Sequence, residues 1–274
     1  MTKVSHRPSG FTLIELAMVL FIVSLLIGGL LLPLSAQTEI RGRQDTDKAL
    51  ANIREALIGF AVVNGRLPCP AVASIPTGTT SSGLSAGREA TWPAVGANGP
   101  CACETNATSR VAGNVGTGAV ACSDTDSVGG VLPWATLGLP ETDAWGHRYT
   151  YYVAAQFARL PTGQTTFGAC TPSATVQNAA FALCSSGTVT VSTAAAGGTT
   201  VASTVPAIVV SHGKNGLGAW SPLGIVDIAA SAADEVENAD NDNDFVSSVG
   251  IDDQLVWIPS TVLMGRMLAA GKLP

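Results

Sequence analysis

The sequence is poor in charged and aromatic side chains. Of its 274 residues, 12% are Asp, Glu, Lys or Arg, and 5% are Phe, Trp or Tyr. Fourteen basic and 20 acidic residues give a net charge of -6. The chain therefore lacks the basic stripe that phosphates require, and nucleic acid is not expected as its main partner. Apolar residues make up 46%, which is enough for a packed core and excludes a disordered chain.

Residues that carry catalysis are also scarce. The chain has three histidines, and it contains no phosphate-binding loop or dinucleotide fingerprint. Ser211 and His212 are adjacent on a predicted strand, where neighbouring side chains point to opposite faces. This placement is poor for proton transfer between them, so we expect a protein that is not an enzyme.

The longest apolar stretch contains a single acid. Residues 1–10 are polar and basic, with Lys3 and Arg7, whereas residues 11–35 carry no charge other than Glu15. A helix of that length spans about 37 Å at about 1.5 Å per residue, which exceeds a hydrocarbon core of about 30 Å. The basic residues place the N-terminus in the cytoplasm. The sequence therefore predicts one membrane helix, in which a carboxylate needs a partner.

The stretch "SGFTLIELAMVLFIVSLLIG" resembles the class III signal of type IV pilins and of the pseudopilins of type II secretion. Gly10 ends a short basic leader, Phe11 follows directly, and Glu15 lies four residues further on. The resemblance implies that a prepilin peptidase cleaves between Gly10 and Phe11 and methylates the new amine of Phe11. It also implies that Glu15 pairs with the terminal amine of a neighbouring subunit, which desolvates two opposite charges together.

Helical periodicity continues beyond the apolar stretch, with Leu50, Ile53 and Leu57 on one face, and ends at Gly65 and the following prolines. The resemblance implies an α+β, pilin-like lollipop, in which a long N-terminal helix packs on a head with an antiparallel sheet and long disulfide-pinned loops. The predicted domains are a cleaved leader (1–10), a transmembrane and assembly helix (11–36), an amphipathic continuation of the helix (37–63) and an extracytoplasmic globular head (64–274).

The head sequence predicts short strands between long loops. Alternating aromatic and β-branched residues predict a strand at the end of 131–154, and we expect further strands within 188–193 and within 204–213. The tail predicts a strand followed by a short helix that begins near Pro259. Residues 71–130 show no sustained period, so we expect an irregular loop region held by cysteines.

Six cysteines lie in the head, and an even number in an exported domain predicts disulfides. Cys170 and Cys184 bracket one short loop, and we expect them to pair. Cys101 and Cys103 are too close in sequence to pair comfortably, so each is expected to reach Cys69 or Cys122. Zinc bound by "CAC" is the alternative, but no second close cysteine pair or paired histidines accompanies it.

An acidic segment at residues 233–246 suggests a calcium loop. It alternates acidic and small polar side chains, and calcium takes about six to eight oxygen ligands in a flexible loop. The placement is similar to the calcium loop of major pseudopilins, although an asparagine stands at position 215, where that family tends to have an aspartate. The alternative is a solvated acidic loop. The candidate ligands are Glu237, Asp240, Asp242, Asp244 and Asn215.

These features predict a structural subunit of a type IV pilus or pseudopilus. Its expected partners are other pilin or pseudopilin subunits, the prepilin peptidase, an inner-membrane assembly platform and membrane lipid. We expect a single-pass inner-membrane protein with a periplasmic head, which then enters a pilus, a pseudopilus or the cell surface. Two alternatives stay open: a minor pilin that acts as a tip adhesin, which the large head favours, and a membrane-anchored hydrolase or receptor that retains the leader.

Overall fold

The computed structural model describes residues 10, 12–81, 83–91, 101–103, 120–121, 127–161, 170–172, 176, 178–240 and 242–273. The side chains of residues 28–36, 102–103, 120–121 and 127 lie outside this description. The leader up to residue 9, Phe11 and Cys122 also lie outside it, as does part of the predicted membrane helix. The chain divides into two compact units, Met1–Arg43 and Gln44–Pro274.

Four α-helices, one short 3-10 helix (Ala155–Phe157) and eleven strands occur in the described part of the chain. The helices are α1 Leu13–Asn64, α2 Trp134–Leu137, α3 Ala233–Glu237 and α4 Ser260–Ala269. The strands are β1 Thr80–Ser81, β2 Leu84–Ser85, β3 Ala102–Cys103, β4 Val120–Ala121, β5 Ser127–Val131, β6 Thr150–Ala154, β7 Val189–Ser192, β8 Thr200–Val205, β9 Ala207–Ser211, β10 Asp244–Val246 and β11 Gln254–Ile258. The α+β class predicted from the sequence is confirmed.

Helix α1 ends where the sequence predicts. Gly65 has a φ of 73°, and its N–H donates to the carbonyl of Ala61 at 2.7 Å. A Cβ at this position would lie 2.1 Å from the carbonyl oxygen of Asn178. Only glycine fits both the left-handed conformation and this close approach. Among the residues that the structure describes, no helix is both long and apolar enough to cross a membrane.

The central sheet of the second unit has four strands in the order β11-β9-β6-β5, all antiparallel. A second sheet has the order β10-β7-β8, in which β10 and β7 are parallel. The pairs β1-β2 and β3-β4 form two separate two-stranded antiparallel sheets. Both faces of the central sheet are covered, so β6 and β9 are buried along their whole length.

Alternate side chains of β6 enter two different cores. Tyr151 and Val153 pack in one cluster with Leu57 of α1 and Met267 of α4. Tyr152 packs in a second cluster with apolar residues of the three-stranded sheet, and its ring meets that of Phe245 edge to face at 4.9 Å. This alternation is the ordinary period of a strand. It makes the second unit a layered body of helix, central sheet and smaller sheet.

The structure differs from the expected strands in two places: residues 71–130, which we expected to be irregular, contain β1 to β4 and most of β5, and the strand expected at 204–213 is divided. Strand β5 lies mostly in this region. We did not expect it, because its sequence contains two glycines and does not resemble a strand. The single strand expected at 204–213 is instead divided at Pro206 between β8 and β9, which belong to different sheets. Proline lacks an N–H for the ladder, so a change of sheet at this residue loses no hydrogen bond.

Candidate functional site

Glu15 has a hydrogen-bonding partner at the start of its own helix. The N–H and the hydroxyl of Thr12 both donate to Glu15 Oε2, at 2.9 and 2.8 Å. The N–H of Glu15 donates in turn to Thr12 Oγ1 at 3.3 Å. The N–H of Leu16 makes the first helical bond, to the carbonyl of Thr12. Thr12 and Glu15 therefore form a reciprocal capping box at the beginning of α1.

The apolar side chains that follow this capping box are exposed. Leu13 is 88% exposed, Phe21 68% and Leu25 63%, and the other large apolar residues as far as Ile27 are also exposed. A continuous apolar surface of this kind requires lipid or protein to cover it. This segment can therefore bury its side chains either in a membrane or against copies of itself.

Two disulfides are present among the described residues. Cys170 and Cys184 are joined, with their Cα atoms 5.3 Å apart, and Cys69 and Cys101 are joined, with their Cα atoms 5.4 Å apart. The first pair encloses the short loop identified in the sequence. The second attaches the segment after α1 to a distant loop. Cys122 and the side chain of Cys103 lie outside the description, so their pairing stays a prediction.

Ser211 and His212 have different partners. Ser211 Oγ donates to Asp143 Oδ2 at 2.7 Å, whereas His212 Nε2 lies 2.8 Å from Thr150 Oγ1. Both residues are fully buried. Burial, with a smaller contribution from nearby His147, lowers the pKa of His212 to about 4, so its ring is neutral at neutral pH. The pair therefore lacks the serine–histidine hydrogen bond on which a hydrolytic triad depends.

The acidic residues form two separate groups. Glu237, Asp242 and Asp244 each place one carboxylate oxygen within 4.8 Å of the other two. This group, here called the loop cluster, contains three of the four acidic ligands suggested by the sequence. Asp240 is outside it, but burial and the neighbouring Asp242 raise the pKa of Asp240.

The second group comprises Glu235, Asp252 and Asp253, which likewise each place one oxygen within 4.8 Å of the other two. We call it the buried cluster, because Glu235 is 5% exposed and Asp253 8%. Asn215, a suggested ligand of the loop, contacts this second group instead. Its side-chain N–H donates to Glu235 Oε1 at 2.7 Å, and its backbone N–H donates to Asp252 Oδ2 at 2.8 Å.

The buried cluster was not identified from the sequence. Its signal is the Asp252-Asp253 pair directly before the apolar strand β11, because two adjacent acids beside an apolar segment are unusual. Burial, opposed by a hydrogen bond from Asn238 and reinforced by Asp252 and Glu235, raises the pKa of Asp253 to about 7. The capping box was missed as well, although a Thr followed three residues later by Glu is its signature.

The comparisons with known proteins identify the N-terminal segment. The prokaryotic N-terminal methylation motif matches residues 5–31, the class III leader of type IV pilins and pseudopilins. The chain thus carries the motif of a pilin-like substrate of the prepilin peptidase, and this motif implies membrane anchoring and assembly with other pilin subunits. Neither a curated protein nor a solved structure matches the chain.

Proposed function

We propose that the protein is a structural subunit of a type IV pilus or a type II secretion pseudopilus. It assembles through its N-terminal helix after removal of the leader at Gly10. The observation that carries this proposal is the methylation motif over residues 5–31, within which Glu15 sits in the first turn of α1. The periplasmic position of the head and the methylation of Phe11 belong to the same proposal.

The local geometry supports a role for Glu15 in assembly. Both bonds from Thr12 go to Oε2 of the carboxylate, so Oε1 can accept a bond from the terminal ammonium of a neighbouring subunit. The exposed apolar side chains around it would be covered by the same neighbours. Away from water, removing either partner of this ion pair would leave the other charge buried and uncompensated, which costs about 3–5 kcal/mol.

Glu15→Gln tests the proposal. The variant should be cleaved and inserted into the membrane, but it should be absent from filaments sheared off the cells, because the amide cannot neutralise the ammonium. Glu55→Gln is the matched control, since Glu55 lies on the same helix in an exposed ion pair with Arg266. Sheared filaments with wild-type amounts of Glu15→Gln would contradict the proposal.

The same experiment separates the two alternatives. A minor pilin that acts as a tip adhesin would be a rare component of the sheared filaments, and a major subunit would dominate them. A membrane-anchored hydrolase or receptor would keep its activity in the Glu15→Gln variant and would be absent from filaments of wild-type cells. The size of the disulfide-containing head favours the minor subunit over a major one.

Calcium in the loop cluster is a second proposal, supported by the three carboxylate oxygens within 4.8 Å. Asp244 is exposed, and Glu237 and Asp242 are half-buried, so water competes for these oxygens and the binding should be weak. A calcium-bound loop would gain about 2.7 kcal/mol at a calcium concentration one hundred times the dissociation constant. Glu237→Gln combined with Asp242→Asn should abolish the part of the calcium-dependent stabilisation that this loop contributes.

A further inference from the structure

In each carboxylate of the buried cluster, one of the two oxygens accepts a hydrogen bond from an amide. Asp253 Oδ2 accepts a bond from the side-chain amide of Asn238 at 2.8 Å, and Asn238 is itself held by the N–H and the carbonyl of Val246. Asp252 Oδ2 and Glu235 Oε1 accept bonds from Asn215. Each carboxylate is therefore oriented by an amide before any ligand arrives.

The remaining oxygens of the two aspartates lack such a bond. Asp252 Oδ1 and Asp253 Oδ1 are both buried, and neither has a hydrogen-bond partner among the described residues. The side chain of Asp253 is 0% exposed. Buried polar atoms in native proteins almost always have a partner, so two such oxygens in one cluster indicate that something absent from the chain itself binds them.

A histidine beside the cluster does not supply this partner. His212 Nδ1 is also buried without a hydrogen bond among the described residues, and it lies 3.8 Å from Asp253 Oδ2. That distance is too long for a hydrogen bond.

The geometry fits one hard cation. Calcium binds carboxylate oxygens at about 2.3–2.6 Å, so two oxygens on opposite sides of one ion lie about 5 Å apart at most. One oxygen from each of Glu235, Asp252 and Asp253 meets this limit. The cluster offers carboxylate oxygens without thiolates, a donor set that favours calcium over the softer transition metals.

We propose that Glu235, Asp252 and Asp253 bind a divalent cation of calcium's size and oxygen preference. The site goes beyond filament assembly and is separate from the loop cluster. It joins α3 to the segment before β11, and Asn215 connects both to the turn after β9. Without the cation, three converging carboxylates repel one another and these segments loosen; with it, they are held against the central sheet.

The test uses the full chain extracted in detergent, stripped with EDTA and titrated with calcium chloride in a calorimeter, with thermal unfolding measured in parallel. Wild-type protein should bind calcium and unfold at a higher temperature when it is present. Asp252→Asn and Asp253→Asn should each weaken calcium binding at least about tenfold, since loss of even a supporting group weakens metal binding about 10–100-fold. Glu237→Gln with Asp242→Asn removes the loop cluster and is the control. Calcium should still bind to this double variant and raise its unfolding temperature.

Asp253→Asn also separates metal binding from a purely structural role. In EDTA this variant should unfold at a temperature no lower than the wild type, because the substitution removes a buried charge next to two like charges. A residue needed only for packing or hydrogen bonding would lower that temperature. If Asp253→Asn does not fold, Asp252→Asn answers the question through its affinity alone.

Three results would overturn the proposal. The first is a wild type that neither binds calcium nor changes its unfolding temperature, which would mean that protonation neutralises the cluster. The second is unchanged calcium binding in both Asp252→Asn and Asp253→Asn. The third is a loop-cluster control whose unfolding temperature no longer rises with calcium, which would assign the ion to the loop. Filament assembly is measured separately, so none of these results bears on the proposed subunit role.

Discussion

At the residue scale, Arg148 is a buried charge whose guanidinium has several partners. Its side chain is 0% exposed and forms an ion pair with Glu141 at 2.8 Å. The guanidinium lies 4.7 Å from the ring centroid of Trp134, so it combines an ion pair with a cation–π contact. Its other nitrogens donate to the carbonyls of Ala73, Ile75 and Pro222 and to the hydroxyl of Thr77. One side chain thus fixes several loops that lack regular secondary structure.

Arg148→Ala should lower the free energy of unfolding by about 3–5 kcal/mol, because it removes the cationic partner of Glu141 and the donor of the carbonyls of Ala73 and Ile75. Arg266→Ala should change it by less than about 1 kcal/mol, since Arg266 and Glu55 form an exposed pair, 59% and 55% accessible. Denaturant unfolding of both variants measures the difference. Equal losses would show that the buried network contributes no more than a surface ion pair.

Residue-level chemistry also limited what could be predicted of the site. The loop cluster was largely foreseen, because alternating acidic residues in one segment are visible in the sequence. The buried cluster combines Glu235 with Asp252 and Asp253, which are distant in sequence and which only the fold brings together. Asn215 was suggested as a ligand of the acidic loop by the resemblance to the pseudopilin calcium loop, but the acidic residues that it contacts are Glu235 and Asp252.

At the scale of elements, periodic segments were predictable and glycine-rich ones were not. Helix α1 was expected over 11–63 and spans Leu13–Asn64, because its apolar period and its stop signals are local. Strand β5 gives no such signal, since its position depends on Tyr152 of β6. A Cβ at Gly129 would lie 2.2 Å from a ring carbon of Tyr152. A glycine that looks unfavourable for a strand is therefore required by its neighbour.

Gly129→Ala should destabilise the head by about 1–3 kcal/mol, as expected for overpacking against a ring in a filled core. Gly59→Ala is the opposite case, because Gly59 lies inside α1 and a Cβ there meets nothing within 4 Å. That variant should stabilise the protein by about 0.5–1 kcal/mol through helix propensity. Thermal unfolding of the pair checks both signs, and a neutral Gly129→Ala would mean that Tyr152 moves aside at little cost.

At the scale of the whole molecule, one covalent step is expected to define the functional protein. The chain is acidic, with a net charge of -6, and its leader contributes two of the 14 basic residues. Removal of residues 1–10 takes away Lys3 and Arg7, leaves 12 basic and 20 acidic residues, and so changes the net charge to -8. The step also creates the amine for which Glu15 is the proposed partner.

Protein extracted from membranes with an active prepilin peptidase should therefore begin at a methylated Phe11. Intact mass and the N-terminal peptide measure the cleavage and the methyl group, and isoelectric focusing measures the two lost positive charges. Gly10→Val is the matched control, since a bulkier residue at the cleaved bond should keep the leader, the unmodified N-terminus and the less acidic focusing position. Wild-type protein that retains residues 1–10 beside an active peptidase would contradict cleavage. Cleaved protein without the methyl group would restrict the prediction to proteolysis and leave the ammonium at Phe11 available to Glu15.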